Sequence, residues 1–195
     1  MANDDNRELT AEELKAIEEK YDEGSATRAV TPSMGMALRV VALAFAIYHY
    51  LTAGFALPAD HWHMGIHLSG LFVLVYALFP IFKTKNAFAL KVGGARIGGV
   101  PIYDIILMIL GVSAALYLGY AWRGVEWLGI EEQTFRMGNP NDYDMVFGCI
   151  VILLVLDIAR RTLGWILPAI ICVFITYALA GPYFPGILQH PGVKF

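Results

Sequence analysis

Long apolar runs separated by short polar segments make up most of the chain from residue 36 onward. A bilayer core of about 30 Å requires about 20 apolar residues per helix. Four runs are long enough, namely Met36–Leu57, Trp62–Phe82, Pro101–Trp122 and Thr162–Tyr183. A fifth run, Tyr143–Ile158, is marginal, because its strictly apolar part corresponds to only about 18 Å of helix at about 1.5 Å per residue.

The first 35 residues are polar and predict one short helix outside the membrane. Thr10 and Glu13 have the spacing of a capping box, which predicts a helix over about residues 11–22. Three apolar side chains share one face of that helix at spacings of three and four. The face is interpreted either as a weak stripe on a solvated helix or as a docking surface for a neighbouring subunit or the cytoplasmic face of the chain itself. Its residues are Leu14, Ile17 and Tyr21.

Composition agrees with a membrane protein. Hydrophobic residues make up 57% of the chain and charged residues 16%, and the mean hydropathy is +0.57, which is too apolar for an ordinary soluble domain. We therefore predict an all-α, polytopic membrane protein of about five spans with a short N-terminal cytosolic helix. Its parts are an acidic N-terminal segment over 1–35, a transmembrane domain over 36–185 and a periplasmic tail over 186–195. The acidic segment argues against nucleic acid as a partner.

The distribution of basic residues decides the number of crossings. With five crossings, one side of the membrane receives eight basic residues and the other side three. This bias follows the positive-inside rule and places the N-terminus in the cytoplasm and the C-terminus in the periplasm of an inner (cytoplasmic) membrane. The eight are Arg28, Arg39, Lys83, Lys85, Lys91, Arg96, Arg160 and Arg161, and the three are Arg123, Arg136 and Lys194. The residues expected at the membrane boundary are Lys83, Lys85, Trp62, Trp122 and Arg136.

Histidines are the first candidates for chemistry. His63 and His67 are four residues apart on one helical face, a spacing at which two imidazoles can share a metal ion. His49 and His67 fall at similar depths in adjacent spans, as axial haem ligands would. No convincing third and fourth ligands accompany them, so the preferred interpretation is packed, hydrogen-bonded histidines with no metal and no cofactor. A haem- or metal-binding redox subunit remains the alternative.

Charges are most concentrated in the stretch LDIARRTLGWILP, where Asp157 can reach Arg160 and Arg161 at i+3 and i+4. A charge at bilayer depth is costly and usually pairs or extends to the surface. We interpret the stretch as the inner turn between the fourth and fifth spans, with Asp157 paired to one of the two arginines, rather than as an ion pair on a transport path. Asp104, near the start of the third span, is explained by the helix N-terminal dipole alone.

No nucleophile elbow, phosphate-binding loop or paired-carboxylate motif occurs in the sequence, so no enzyme activity and no catalytic residue is predicted. The spans are continuous, and their centres are apolar. A carrier that binds substrate itself usually has broken helices and polar residues near the midplane. We therefore expect a supporting membrane subunit with no substrate-binding residues of its own.

Five blocks of sequence carry a resemblance to a known family. The blocks are IHL (Ile66–Leu68), PIYD (Pro101–Asp104), RMGNPNDYD (Arg136–Asp144), LLVLDIARRTLGWILP (Leu153–Pro168) and YALAGPYFPGILQHPG (Tyr177–Gly192). Through them the chain resembles the small (Q-type) membrane portion of tripartite ATP-independent periplasmic (TRAP) transporters, and more narrowly the N-terminal region of fused permeases that work with TAXI-type solute-binding proteins. The EELKAIEEKYD near the N-terminus is similar to the family's cytosolic start.

The resemblance implies a scaffold in an organic-acid uptake system. In the family, the small portion holds a large elevator-type permease (M-type) in the membrane and helps to receive a periplasmic binding protein, while substrate and ion bind the large part. The small subunit of another tripartite carrier is a further alternative. The chain departs from the family in having Asp157 where Glu is frequent, and fused members continue beyond the GPYFPG block. The residues expected to brace the structure or contact a partner are Asp157, Arg160, Arg161, Trp165 and Pro168.

Overall fold

The structure is a computed structural model that describes residues 10, 12–14, 27–55, 60–81, 94–120, 124, 132, 135 and 138–192. It is mostly helical. Its five long helices are α1 (Pro32–Gly54), α2 (Asp60–Leu78), α3 (Ile102–Tyr120), α4 (Asp142–Leu163) and α5 (Ile166–Ala180). Two short 3-10 turns, Gly181–Tyr183 and Gly186–Leu188, follow α5.

Three of these helical stretches are long and apolar enough to cross a bilayer, namely Pro32–Gly54, Ile102–Tyr120 and Ile166–Tyr183. Helix α2 carries histidines and an aspartate in its first two turns, and α4 contains five charged residues. The chain thus has the character of a membrane protein.

A small β-ribbon precedes α3 and modifies the all-α prediction. Strand β1 (Arg96–Ile97) pairs antiparallel with strand β2 (Val100–Pro101). The two glycines between them both have positive φ, which is the conformation of a tight hairpin turn and favours glycine. The third predicted span therefore begins at Ile102, one residue after Pro101, which belongs to β2.

Helix α4 is longer than the run Tyr143–Ile158 predicted. It has 22 residues, or about 33 Å of helix, because an Asn141–Asp144 capping box starts it and Gly164 ends it at φ 81°. Placing Arg160 and Arg161 in a turn was therefore wrong, since both lie in the last turn of α4. The fifth helix correspondingly begins at Ile166 rather than at Thr162.

The core lies between α2, α3 and α4. Gly65 on α2 faces the backbone of α3, where a Cβ would lie 2.9 Å from the carbonyl oxygen of Ala115. Helices α1 and α5 are more peripheral, and most of their large apolar side chains are exposed. The buried core cluster consists of Phe72, Val75, Tyr76, Ala115, Leu154 and Ile158.

The predicted N-terminal helix falls mostly outside the described residues. Residues 12–14 are helical, and the capping box at their start is formed. The backbone N–H of Thr10 donates to the Glu13 carboxylate at 2.9 Å, and the backbone N–H of Glu13 donates to the Thr10 hydroxyl at 3.3 Å. Ile17 and Tyr21 lie outside the described residues, so their predicted stripe stays a prediction.

Candidate functional site

Five charged side chains meet at the end of the bundle where α2 ends, α3 begins and α4 ends. This charge cluster consists of Arg28, Asp104, Asp157, Arg160 and Arg161. The chain order places them on three separate elements: the segment before α1, the first turn of α3 and the last two turns of α4.

Asp104 is the centre of the charge cluster and is completely buried. One of its oxygens accepts from Arg28, and the other accepts from Nη1 of Arg161 at 2.7 Å. A buried carboxylate requires such compensation, because removing a charge from water without a partner is costly. The helix-dipole explanation of Asp104 was therefore incomplete: the residue does lie in the first turn of α3, but it also ties two distant arginines together.

Asp157 bridges the two arginines of its own helix. Its Oδ1 accepts from Nη2 of Arg160 at 2.7 Å, and its Oδ2 accepts from Nε of Arg161 at 2.8 Å. The predicted pairing to one arginine is confirmed and extended to both. Arg161 contacts both carboxylates, so the charges form one continuous chain from Arg28 to Arg160.

The arginines also bind the end of α2. Arg28 Nη1 donates to the carbonyl of Tyr76, Arg161 Nη1 to that of Phe79, and Arg160 Nη1 to that of Ile81, each at 3.2 Å. Tyr76 lies in the last turn of α2, where the carbonyls lack partners within the helix and carry the negative end of its dipole, and Phe79 and Ile81 follow directly after that helix. Three guanidinium groups against two carboxylates leave one excess positive charge, which these carbonyls offset.

Aromatic rings complete the charge cluster. The guanidinium carbon of Arg161 lies 4.7 Å from the centroid of the Tyr76 ring, and that of Arg160 lies 5.3 Å from the centroid of the Trp165 ring. Both distances are in the range of cation–π contacts. Tyr76 is fully buried, whereas Trp165 is 72% exposed. Among the residues predicted to brace the structure or contact a partner, Trp165 thus has an exposed ring that another protein surface can contact.

The segment before α1 is fixed to the same end. The backbone N–H of Arg28 donates to the carbonyl of Leu78 at 2.6 Å, and that of Thr31 donates to Gly98 in the β-ribbon turn at 3.0 Å. Thr31 then caps α1. The side chain of Arg28 is only 8% exposed. Residues 27–31 therefore belong to the folded bundle and not to the polar tail in which the sequence analysis grouped them.

A second polar group lies at the opposite end of α1 and α2. This histidine cluster consists of Tyr48, His49, His63 and His67. His49 Nε2 lies 2.8 Å from His67 Nδ1, and the Tyr48 hydroxyl lies 3.1 Å from His63 Nδ1. The prediction that His49 and His67 lie at similar depths is confirmed.

The His49–His67 pair does not have the spacing of two ligands that share one metal ion or a haem. Two imidazole nitrogens on one tetrahedral zinc ion at about 2.0–2.1 Å each are about 3.3 Å apart, whereas His49 and His67 are at hydrogen-bond distance. Their direct contact also leaves no space for a haem between them. Within the residues that the structure describes, no group of three or more His, Cys, Asp or Glu side chains is arranged to hold a metal ion.

The remaining predicted site residues have separate positions. Pro168 is buried in the first turn of α5, where the missing N–H is tolerated. Trp62 contacts Tyr120 of α3 at the histidine-cluster end, with ring centroids 5.6 Å apart. The boundary residues Lys83, Lys85, Trp122 and Arg136 lie outside the described residues.

No protein-family model matches the chain, and no curated protein or solved structure is significantly similar to it.

Proposed function

We propose that the chain is the small scaffold subunit of a TRAP-type secondary transporter, acting with a large elevator-type permease and a periplasmic binding protein in organic-acid uptake. The proposal rests on the five sequence blocks that resemble this family. The observation that supports it best is the charge cluster, which joins the pre-α1 segment, α2, α3 and α4 at one end. A stator that resists the movement of a partner needs such a rigid end.

In this proposal all five helices cross the membrane, with the N-terminus in the cytoplasm. The length of α4, 22 residues, supports a crossing, since about 33 Å exceeds the bilayer core. Its charges are compatible with a crossing because they lie at its two ends. Arg28, Arg160 and Arg161 lie together at one end, as the positive-inside assignment requires of them.

A scaffold role is also supported by the cavity beside α5. It has a volume of about 400 Å³ and an almost entirely apolar lining. The hydroxyls of Thr176 and Tyr177 in its wall donate to the carbonyls of Cys172 and Leu188. The lining offers an organic acid no positive charge. The lining residues are Cys172, Val173, Phe174, Thr176, Tyr177 and Phe184.

Affinity capture from native membranes tests the proposal. The tagged chain, expressed at its native level and extracted in mild detergent, should bring down a much larger polytopic protein in a fixed ratio. An unrelated polytopic protein with the same tag is the control. Recovery of this chain alone, monodisperse and stable, would count against a scaffold role.

Two substitutions locate the contact. Trp165→Ala removes an exposed ring at the charge-cluster end and should reduce the recovered partner severalfold, while the matched change Tyr183→Ala, at an 89% exposed ring beyond the other end of α5, should have little effect. Asp157→Lys should also weaken assembly, because it repels both neighbouring arginines. Unchanged recovery with Trp165→Ala and Asp157→Lys would leave these residues only the role of holding this chain together.

A further inference from the structure

The pair His49–His67 has a defined arrangement of protons. Nδ1 of His49 lies 2.9 Å from the carbonyl oxygen of Phe45, and a carbonyl can only accept, so this nitrogen carries the proton. In neutral His49 the other nitrogen, Nε2, is then an acceptor. It faces Nδ1 of His67 at 2.8 Å, so Nδ1 of His67 is the donor.

The protonation of the remaining nitrogen of His67 follows from this arrangement of protons. With its proton on Nδ1, neutral His67 has an unprotonated Nε2. A proton that binds there leaves both existing hydrogen bonds intact and strengthens the one between the rings, because its donor then belongs to a cation. A second proton on the pair has to enter the ring-to-ring contact and would place two N–H groups against each other.

We propose that His49 and His67 form a one-proton binding site between α1 and α2, in which Nε2 of His67 takes the proton and the carbonyl of Phe45 fixes the tautomer of His49. The site is independent of the transporter proposal, since it depends only on contacts within this chain. It gives the His49–His67 pair one proton to take up at the contact between α1 and α2.

The surroundings of the pair favour a proton over other ligands. Both rings are partly buried, and Phe45 packs against them with centroid distances of 4.3 Å to His49 and 5.7 Å to His67. Imidazole is the side chain whose unperturbed charge change lies nearest to neutral pH. The charge of the site lies where α1 meets α2, and uptake of the proton therefore acts on the contact of the peripheral helix α1.

His63 lies beside the pair, with its ring centroid 5.3 Å from that of His49. Asp144 accepts a hydrogen bond from the Tyr117 hydroxyl at 3.0 Å. Among the described side chains on the adjoining turns of α1, α2 and α3 there is no Asp, Glu, Lys or Arg. The other titratable groups on those turns are Tyr48, Tyr50, His61, His63, Tyr117 and Tyr120.

Nitrogen NMR of the full chain in lipid nanodiscs, with ¹⁵N-labelled histidine rings, tests the site. At neutral to basic pH we expect a scalar coupling between His49 Nε2 and His67 Nδ1 across their hydrogen bond, with His67 Nε2 unprotonated. Between about pH 8 and about pH 5, one proton per pair should appear on His67 Nε2, while His49 Nδ1 stays protonated throughout.

Variants separate the pair from its neighbours. His63→Gln leaves the His49–His67 bond in place and should preserve the coupling and the single step, whereas His49→Leu should abolish the coupling and shift the titration of His67. The wild-type spectrum alone is decisive if His49→Leu fails to fold. A proton on His67 Nε2 at basic pH, uptake of two protons by the pair, or no titration in this range would each overturn the proposal.

Discussion

The two ends of the helix bundle handle polar groups in opposite ways. At one end, Asp104 and Arg161 are completely buried and each contacts two partners of opposite charge. At the other end, the histidine cluster is half-buried and its members pair through neutral hydrogen bonds. Charges without water must be compensated as soon as the helices pack, whereas neutral rings can change partner or charge. The comparison indicates that the charge-cluster end of the bundle is its fixed end and that the histidine-cluster end is its adjustable end.

The largest effect is expected from the centre of the fixed end. Asp104→Asn removes the carboxylate that Arg28 and Arg161 share and leaves two buried cations without it, so the free energy of unfolding should fall by about 3–5 kcal/mol. Asp157→Asn is the matched control, because that side chain is 25% exposed and its loss should cost about 1 kcal/mol or less. Unfolding measured in a lipid bilayer gives both values. Equal losses for the two variants would remove the distinction between centre and edge of the cluster.

A smaller effect is expected where α2 and α3 approach each other near the histidine end. A Cβ at Gly65 would lie 2.9 Å from the Ala115 carbonyl oxygen and 3.3 Å from the Cα of Gly119. Backbone atoms cannot yield locally, so Gly65→Val should separate the helices and cost about 1–3 kcal/mol.

Gly54→Val provides the control for this change, since the space around Gly54 is open and the expected change in unfolding free energy is within about 0.5 kcal/mol. If both valine variants were equally stable, backbone contact would not be what holds the adjustable end together.

The smallest effect concerns a carboxylate at the protein surface, that of Glu13. Hydrogen bonds from the backbone N–H of Thr10, and then from its hydroxyl, lower the pKa of Glu13. A lowered pKa in the folded state means that the stabilisation of the capping box is present above the unfolded pKa and is lost as the pH falls through the folded value.

The protection factors of the amides of residues 12–14, which are exchange rates corrected for their intrinsic pH dependence, should therefore fall in mild acid in the wild type, while those of Glu13→Gln should stay constant over the same range. Thr10→Ala, which removes the hydroxyl partner, should lie between them. Protection factors that fall equally in acid in Glu13→Gln would show that another group is responsible.

Sequence patterns predict much of this fold, because apolar runs and capping motifs act locally. The pairing of Asp157 with Arg160 and Arg161 follows from helical spacing alone, and the approach of His49 to His67 follows from their similar depth in adjacent spans. The partners of Asp104 have no such signal, since Arg28 and Arg161 are 76 and 57 positions away. The helix dipole already accounts for a carboxylate in a first helical turn. The sequence therefore gives no indication that Asp104 also makes a tertiary contact.

The length of α4 was underestimated for a related reason. Counting apolar residues ends a span at the first charge, but here Asp157 pairs with Arg160 and Arg161, and Arg160 also donates to the carbonyl of Ile81, just beyond α2. The helix can therefore continue through them until Gly164 ends it. Only the packing of α2 against α4 determines that these charges are compensated.

A double-mutant cycle between Asp104 and Arg161 tests the central claim, that one shared carboxylate fixes the end of the bundle. The free energy of unfolding would be measured in a bilayer for the wild type, Asp104→Leu, Arg161→Leu and the double variant. We expect the double variant to be more stable than the sum of the two losses predicts, with a coupling of about 1–3 kcal/mol. Losses that add within about 0.5 kcal/mol would contradict the claim.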